Sequence, residues 1–255
     1  IVRTSFTLPQ VTVGMAEWAA KNKIRKVVTL VADYGPGFDA EKYFDSQFRL
    51  NGGQILDKLR TPLRAPDFAP VLQKVIDAKP DALFLNGYTP DVTVILRELY
   101  RAGFDGKKFT FGYAANAKML ESLPPEVTEG LISFSPSPDP GSPAYAAVKQ
   151  ALGTDTPDTY SCQVHDHVSL VALAVARAGD ASGAAIHDAV RTISQGGGAK
   201  VGSALDGLRA LAAGQDINYE GASGPCDFTE RGDIEGCKFR FEQVRASKIT
   251  LLSVS

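Results

Sequence analysis

The sequence predicts an α/β protein built on a parallel sheet, and three loop tips are the observation that predicts it. Each tip follows a short apolar run and carries a tyrosine close to glycine. Val27-Val28-Thr29-Leu30-Val31-Ala32 runs into Asp33-Tyr34-Gly35-Pro36-Gly37, and Ala82-Leu83-Phe84-Leu85 runs into Asn86-Gly87-Tyr88-Thr89-Pro90. Phe109-Thr110-Phe111 runs into Gly112-Tyr113-Ala114. Helical patterns follow the tips, most strongly after the second. Strand, tip and helix in repetition imply parallel strands joined by crossover helices. In such sheets ligands sit outside the carboxyl ends of the strands. Aromatic tips on one edge would therefore line one wall of a cleft, which points to binding rather than catalysis.

The elements follow in order. Residues 9–22 read as a helix, largely apolar at Val13, Ala16, Trp18 and Ala20, and residues 27–32 as a buried strand. A helix over 38–50, with Phe44 and Phe48 four apart, is stopped by Asn51-Gly52-Gly53 in the manner of a C-cap. A strand over 54–59 precedes a helix begun by Asp67. Its Phe68, Val71, Leu72, Val75 and Ile76 recur at helical spacing and form one apolar face. After a strand at 82–85, Pro90 opens a helix at a position suited to proline. Val92, Ile95, Leu96, Leu99 and Tyr100 repeat the spacing, and Gly103 closes that helix. Strands at 109–111 and 131–134 come next.

The proline-rich run 135–143 reads as a crossing between lobes. Beyond it, residues 144–152, 160–178, 183–194 and 205–213 read as helices with no convincing strand between them. Strands return at 238–244 and 249–254. Helices of an α/β protein cover a sheet, and these later helices lack one. The simplest account is that their strands lie before Ile1; a small all-helical domain is the competing account.

Bulk properties bound the function. A chain of 255 residues, 44% hydrophobic and 22% charged, has the make-up of a soluble globular protein of one large or two modest domains. A net charge of -2 without a basic run argues against a nucleic-acid surface. No apolar stretch reaches the roughly 18 residues that a membrane span needs, so the chain is not expected to be membrane-embedded. The sequence starts at Ile1 without methionine or signal peptide, as if processing or truncation had removed what preceded it.

Cys226 and Cys237 bracket a polar, glycine-bearing run that reads as a hairpin or tight loop. A disulfide across it is the expectation, and would contribute about 3 kcal/mol on the chain-entropy view and imply an oxidising compartment. Two unpaired thiols are the alternative. Cys162 is left over as a buried helix residue. His165-Asp166-His167 invites a metal or acid/base reading, but residues two apart on a helix do not share a face. No further Cys or His pair has zinc spacing. Ser161 and Cys162 lack a nucleophile elbow, and Gly196-Gly197-Gly198 lacks the Lys-Ser/Thr of a phosphate loop. Arg3 reads as surface or interlobe structure, and Asp91 as an early helix acid favoured by the dipole.

Arg3-Thr4, the tip Asp33-Tyr34-Gly35-Pro36-Gly37, residues 82–90 and Gly224-Pro225-Cys226-Asp227-Phe228 form a colinear set. Together they resemble the branched-chain amino acid binding protein family, the type I periplasmic binding proteins that serve ABC importers. The resemblance covers nearly the whole chain. It implies a type I periplasmic-binding-protein fold of two Rossmann-like lobes with a hinge, closing on ligand, the first lobe incomplete in this chain. Residues 1–135 would form the second, C-terminal ligand-binding lobe and 136–224 the helical part of the first. Residues 225–255 would be terminal strands rejoining the second lobe.

By the same resemblance the protein is a periplasmic solute-binding protein rather than an enzyme, and uses no cofactor. Its partners would be a small-molecule ligand and an ABC transporter permease. Tyr34 and Tyr88 match aromatic positions of the family's second lobe; Tyr113 follows, with Ala114 and Asp33 beside the tips. Amino-acid binders of the family place an acid after the next strand to take the ligand's ammonium. Here that stretch is Gly112-Tyr113-Ala114-Ala115, without an acid. A buried ammonium lacking a carboxylate partner is costly. The expected ligand is therefore an aromatic or aliphatic carboxylate, or a neutral amide, rather than an α-amino acid. Two other readings remain at this stage. One is a sensor or an amide- or amino-acid-responsive regulator on the same fold. The other is a hydrolase on a doubly wound sheet, which needs a nucleophile–base pair at the tips.

Overall fold

In the computed structural model, which describes residues 2–254, helix α1 (Leu8–Lys21) buries Val11, Met15, Ala16 and Ala19 and leads into β1 (Lys26–Ala32). Every residue of β1 after the first is buried, as a strand covered on both faces requires. There follow α2 (Gly35–Leu50), β2 (Gln54–Thr61), α3 (Ala69–Ala78), β3 (Ala82–Asn86), α4 (Thr89–Arg101) and β4 (Lys107–Phe111). Two short helices, α5 (Ala117–Glu121) and α6 (Pro125–Thr128), precede β5 (Ile132–Pro136). The chain continues through α7 (Pro143–Leu152), α8 (Thr159–Ala178), α9 (Gly183–Ser194), β6 (Ala199–Val201), α10 (Ala204–Ala212), β7 (Ile217–Gly221) and β8 (Gly224–Pro225). It ends in β9 (Phe239–Arg245) and β10 (Lys248–Val254).

These elements fall into two units. One is Leu8–Ser135 with the chain from Phe239 onward; the other is the chain up to Thr7 with Pro136–Lys238. The first unit holds a seven-stranded sheet in the order β10-β9-β5-β4-β3-β1-β2. Strand β1 pairs in parallel with β2 and β3, β3 with β4, and β4 with β5, while β9 and β10 form an antiparallel pair. Val28, Leu30, Leu83 and Leu85 face a core completed by Leu72, Val75, Val92, Ile95, Leu96 and Leu99. These helix residues are the helical-period positions read from the sequence. Phe44 stacks on Phe48, with ring centroids 5.3 Å apart, and packs on Phe84 and Phe109. Glu41, 3% exposed, is held by Thr29 and Arg60 and so ties α2 to β1 and β2.

The second unit corrects the expectation of helices without a sheet. It contains a three-stranded sheet in the order β6-β7-β8. Helices α8, α9 and α10 cover its central strand with Leu170, Leu173, Val190 and Ile193 against Ile217 and Tyr219. Strand β6 escaped notice because it has three residues, of which only Val201 is buried. The signal for β7 was the alternation of buried Ile217, Tyr219 and Gly221 with half-buried Asn218 and Glu220. Gly198 sets the approach of these strands: a Cβ there would lie 2.3 Å from the Asp216 carbonyl carbon and the Ile217 nitrogen. The opposite face of α8 leaves Val164, Val168 and Val171 exposed.

The expected disulfide is also corrected. Cys226 and Cys237 are free thiols. Cys226 is fully buried beside Tyr219, Phe228 and Ile234, with Cys237 packed against the same cluster. The intervening hairpin is closed by backbone instead, through an antiparallel bridge between Phe228 and Ile234. Glu235 N donates to Asp227 O and Thr229 N to Asp233 O, at 2.8 and 2.9 Å. Burial raises both thiol pKa values, so both behave as small apolar groups. Arg3 belongs to this unit, ion-paired with Asp233 at 3.0 Å.

Candidate functional site

Strands β4, β3 and β1 are adjacent and parallel, so their carboxyl ends share one edge of the sheet. The three tyrosine tips meet there. Tyr34 and Tyr88 are the N-cap residues of α2 and α4, both extended, and neither side chain caps its helix. Tyrosine lacks the short acceptor that makes Ser, Thr, Asp or Asn good N-caps. At both helix starts the chain gives up a cap and gains a ring at the sheet edge. Both helix starts, the positive ends of their dipoles, therefore lie at the same edge.

The rings are in mutual contact. The centroids of Tyr34 and Tyr88 are 5.5 Å apart and those of Tyr88 and Tyr113 are 6.3 Å apart. Tyr113 stacks on Phe111 at 5.4 Å, which continues the core outward. At the centre is Asn86, the last residue of β3, 2% exposed. The Tyr34 and Tyr113 hydroxyls donate to its Oδ1 at 3.0 and 2.9 Å, and lie 3.4 Å from each other. Burial raises the Tyr34 pKa above the ordinary phenol value, opposed by its contact with Tyr113 and reinforced by Tyr88. The Tyr34 phenol is therefore neutral at physiological pH. The Tyr113 tip is anchored through its carbonyl, which accepts from Thr89 Oγ1 and Asn116 Nδ2, both at 3.2 Å. Asn116 in turn caps α5 by accepting from Met119 N at 3.0 Å.

The structure brings Tyr34, Tyr88 and Tyr113 together and treats the other expected residues differently. Ala114 is fully buried in the core below the tip. Asp33 is exposed, with its backbone N–H donating to Thr61 O at 2.7 Å. Asp91 is buried and accepts from the Arg64 N–H at 3.0 Å, holding that residue at φ 56. Sequence reasoning passed over Asn86 as a site residue. The signal available was a polar residue ending a strand that is buried along its whole length.

Gly37 makes room for this wall. A Cβ there would fall 2.8 Å from Tyr34 Cε1 and 2.7 Å from Val31 Cγ1. Gly37→Ala is expected to push the Tyr34 ring off its position and weaken ligand binding by about tenfold or more, since ring placement of this kind governs contact energy. Isothermal titration of the variant checks this, and unchanged affinity would mean the ring does not touch ligand.

Elsewhere the candidate chemistry is structural. Asp166 is fully buried and hydrogen-bonded to Tyr219, Ala222 and Ser223. His167 Nε2 lies 3.4 Å from Thr4 N. Burial, with Asp166 and Asp158 nearby, pushes the Cys162 thiol up to about 11, the opposite of an activated nucleophile. Among the described residues no group of three or more His, Cys, Asp or Glu could hold a metal ion. Among the same residues no single helix is long and apolar enough to cross a membrane.

A parallel sheet with crossover helices and an aromatic wall at its carboxyl edge is the architecture of a binding lobe. The chain belongs to the periplasmic binding protein family, whose pattern matches residues 1–248. It is similar to the Leu/Ile/Val-binding protein homolog 6 of Brucella abortus, 39% identical over 84 residues, which are 33% of this chain and 22% of that relative. Among solved structures it resembles a leucine binding protein from Thermotoga maritima, with a TM-score of 0.81 at 22% identity, over 99% of this chain and 67% of that one. It also resembles a solute binding protein of an ABC transporter from Rhodopseudomonas palustris BisB5 in complex with 3,4-dihydroxybenzoic acid. There the TM-score is 0.73 at 27% identity, over 100% of this chain and 67% of that one. The fold is therefore that of type I periplasmic binding proteins. The chain spans about two thirds of the length of those structures, and its match to the curated relative about a fifth of that protein.

Proposed function

We propose that this protein is an extracytoplasmic solute-binding protein of an ABC importer, acting in the periplasm. It captures a small carboxylate at the tyrosine-lined edge of the sheet and delivers it to the permease. The observation that carries this reading is the wall itself: three tyrosine rings in contact, two of them hydrogen-bonded to Asn86, between the starts of two helices without side-chain caps. Rings of this kind stack on apolar or aromatic ligand surface while their hydroxyls fix orientation. Of the nearby acids Asp91 already accepts from the Arg64 N–H, and the third tip, Gly112-Tyr113-Ala114-Ala115, carries no acid. An aromatic or aliphatic carboxylate therefore fits better than a free α-amino acid. Family membership and relatives with benzoate-type and amino-acid ligands support the solute-binding role.

The test is a thermal-shift panel setting leucine, isoleucine and valine against benzoates, aliphatic acids and short amides. A ligand that binds only the folded state stabilises it by about 2.7 kcal/mol at a hundredfold excess over Kd. Stabilisation by the acids and not by the amino acids is the expected result; the reverse would overturn the ligand class. Tyr88 is 49% exposed, so Tyr88→Ala should leave the melting temperature of the free protein nearly unchanged. It should weaken the bound acid by about tenfold or more, read by titration calorimetry.

A further inference from the structure

The loop after β2 carries an inference that rests on the carboxylate reading above and adds a residue to its site. Among the described residues Lys23, Arg64, Lys79, Ala246 and Ser247 have positive φ without being glycine. Four of them stand where a chain reversal asks for it. Lys23 and Lys79 follow the ends of α1 and α3, and Ala246 and Ser247 form the turn between β9 and β10. Arg64, at φ 56, has neither excuse and lies between β2 and α3. Glycine enters this region without steric penalty, so an arginine there marks strain, and strain of this kind collects at ligand-binding sites. Buried Asp91 holds the conformation by accepting from Arg64 N at 3.0 Å.

The same loop is tied to two of the tyrosine tips. Thr61 O, at the end of β2, accepts from the N–H of Asp33, the neighbour of Tyr34, at 2.7 Å. Asp91 stands in the first turn of α4, whose N-cap is Tyr88. The Arg64 backbone is thus pinned between the two helix starts that carry Tyr34 and Tyr88, and its side chain is exposed. Its neighbours on β2 are spent: Arg60 is paired with Glu41, and Lys58 with Asp45 at 2.8 Å. No carboxylate among the described residues lies within ion-pair distance of the Arg64 guanidinium. We propose that Arg64 is the anion-binding residue of this site, taking the charged end of the ligand while the tyrosine rings take its body. A guanidinium stays charged and meets a carboxylate with paired N–H donors. A carboxylate drawn out of water needs such a partner. Glycine would relieve the strain but would leave the edge without this cation.

The experiment is calorimetric titration with benzoate and hexanoate, each set against its uncharged amide, benzamide or hexanamide. Arg64→Gln keeps the strained backbone and removes the charge; Arg64→Gly removes both. Each variant should weaken the bound acid by about tenfold or more and change the amide by about twofold or less. The melting temperature of free Arg64→Gly should be unchanged or raised, because glycine accepts φ 56 without strain. Unchanged acid affinity in both variants overturns this inference and leaves the carboxylate reading standing. Weakening in Arg64→Gly alone assigns the loss to loop rigidity and overturns it as well. So does equal weakening of acid and amide, or a melting temperature lowered by both variants, since the guanidinium would then be structural. Wild type that binds neither acid overturns both readings together.

Discussion

Replacing Asp166 by alanine is expected to destabilise the Pro136–Lys238 unit by about 3–5 kcal/mol, the range for breaking a buried, fully hydrogen-bonded charged group. The carboxylate is 0% exposed and accepts from the Tyr219 hydroxyl at 2.9 Å and from Ala222 N and Ser223 N at 2.8 Å each. The Ser223 hydroxyl adds a further bond. Ala222 and Ser223 form the turn between β7 and β8, and alanine would leave their N–H groups buried without this acceptor, while the Tyr219 hydroxyl on β7 keeps a 3.3 Å contact with His165 Nδ1. The turn is shaped around the carboxylate, since a Cβ on Gly221 would sit 2.6 Å from Asp166 Oδ2. Asp166→Asn retains one acceptor oxygen and should lose less, about 1–3 kcal/mol. Urea unfolding followed by far-UV circular dichroism reads the loss. Trp18, the single tryptophan, packs on Phe134 and Phe241 in the other unit and gives a second probe of where the loss falls. A midpoint unchanged by both probes would show that the turn holds itself without the carboxylate.

The second large effect belongs to Phe44→Ala, which should cost about 3–5 kcal/mol, as large-to-small changes at closed core sites do. Phe44 is fully buried on α2, with ring centroids 5.3 Å from Phe48, 4.9 Å from Phe84 and 5.7 Å from Phe109. Its partners belong to β3, β4 and α2 itself, so no single side chain can swing in to fill the space. The ring chain continues from Phe84 to Phe111 and from Phe111 to Tyr113. The same core thus seats one of the tyrosines of the sheet-edge wall. Denaturant titration measures the loss. A loss below about 1 kcal/mol would mean that Phe48 and Phe84 collapse into the cavity.

The two large predictions also mark how far the chain could be read in advance. Phe44 and Phe48, four apart in a helical pattern, identified a buried face before any coordinates, because helical period alone puts them on one side. Asp166 was legible only as part of an odd His-Asp-His run. Its partners lie 53 to 57 residues away, and no local pattern points to them. Gly198 reads as a flexible glycine in sequence, yet its neighbour is the backbone at Asp216 and Ile217. Cys226 and Cys237 bracket a hairpin in sequence, but backbone bonds close it and both thiols pack as apolar groups.

The sequence by itself determined the central strands, the helices that cross between them and the tyrosines at the tips. Unbroken apolar runs, helical spacing and proline at helix starts are local signals, and each acts within a few residues. Strand order was decided by the tertiary structure. Placing β3 between β1 and β4 brings Tyr34, Tyr88 and Tyr113 to one edge and sets Asn86 between two phenols from tips 79 residues apart. Local preference states which residues end a strand; only packing of the whole sheet settles which strand ends are neighbours.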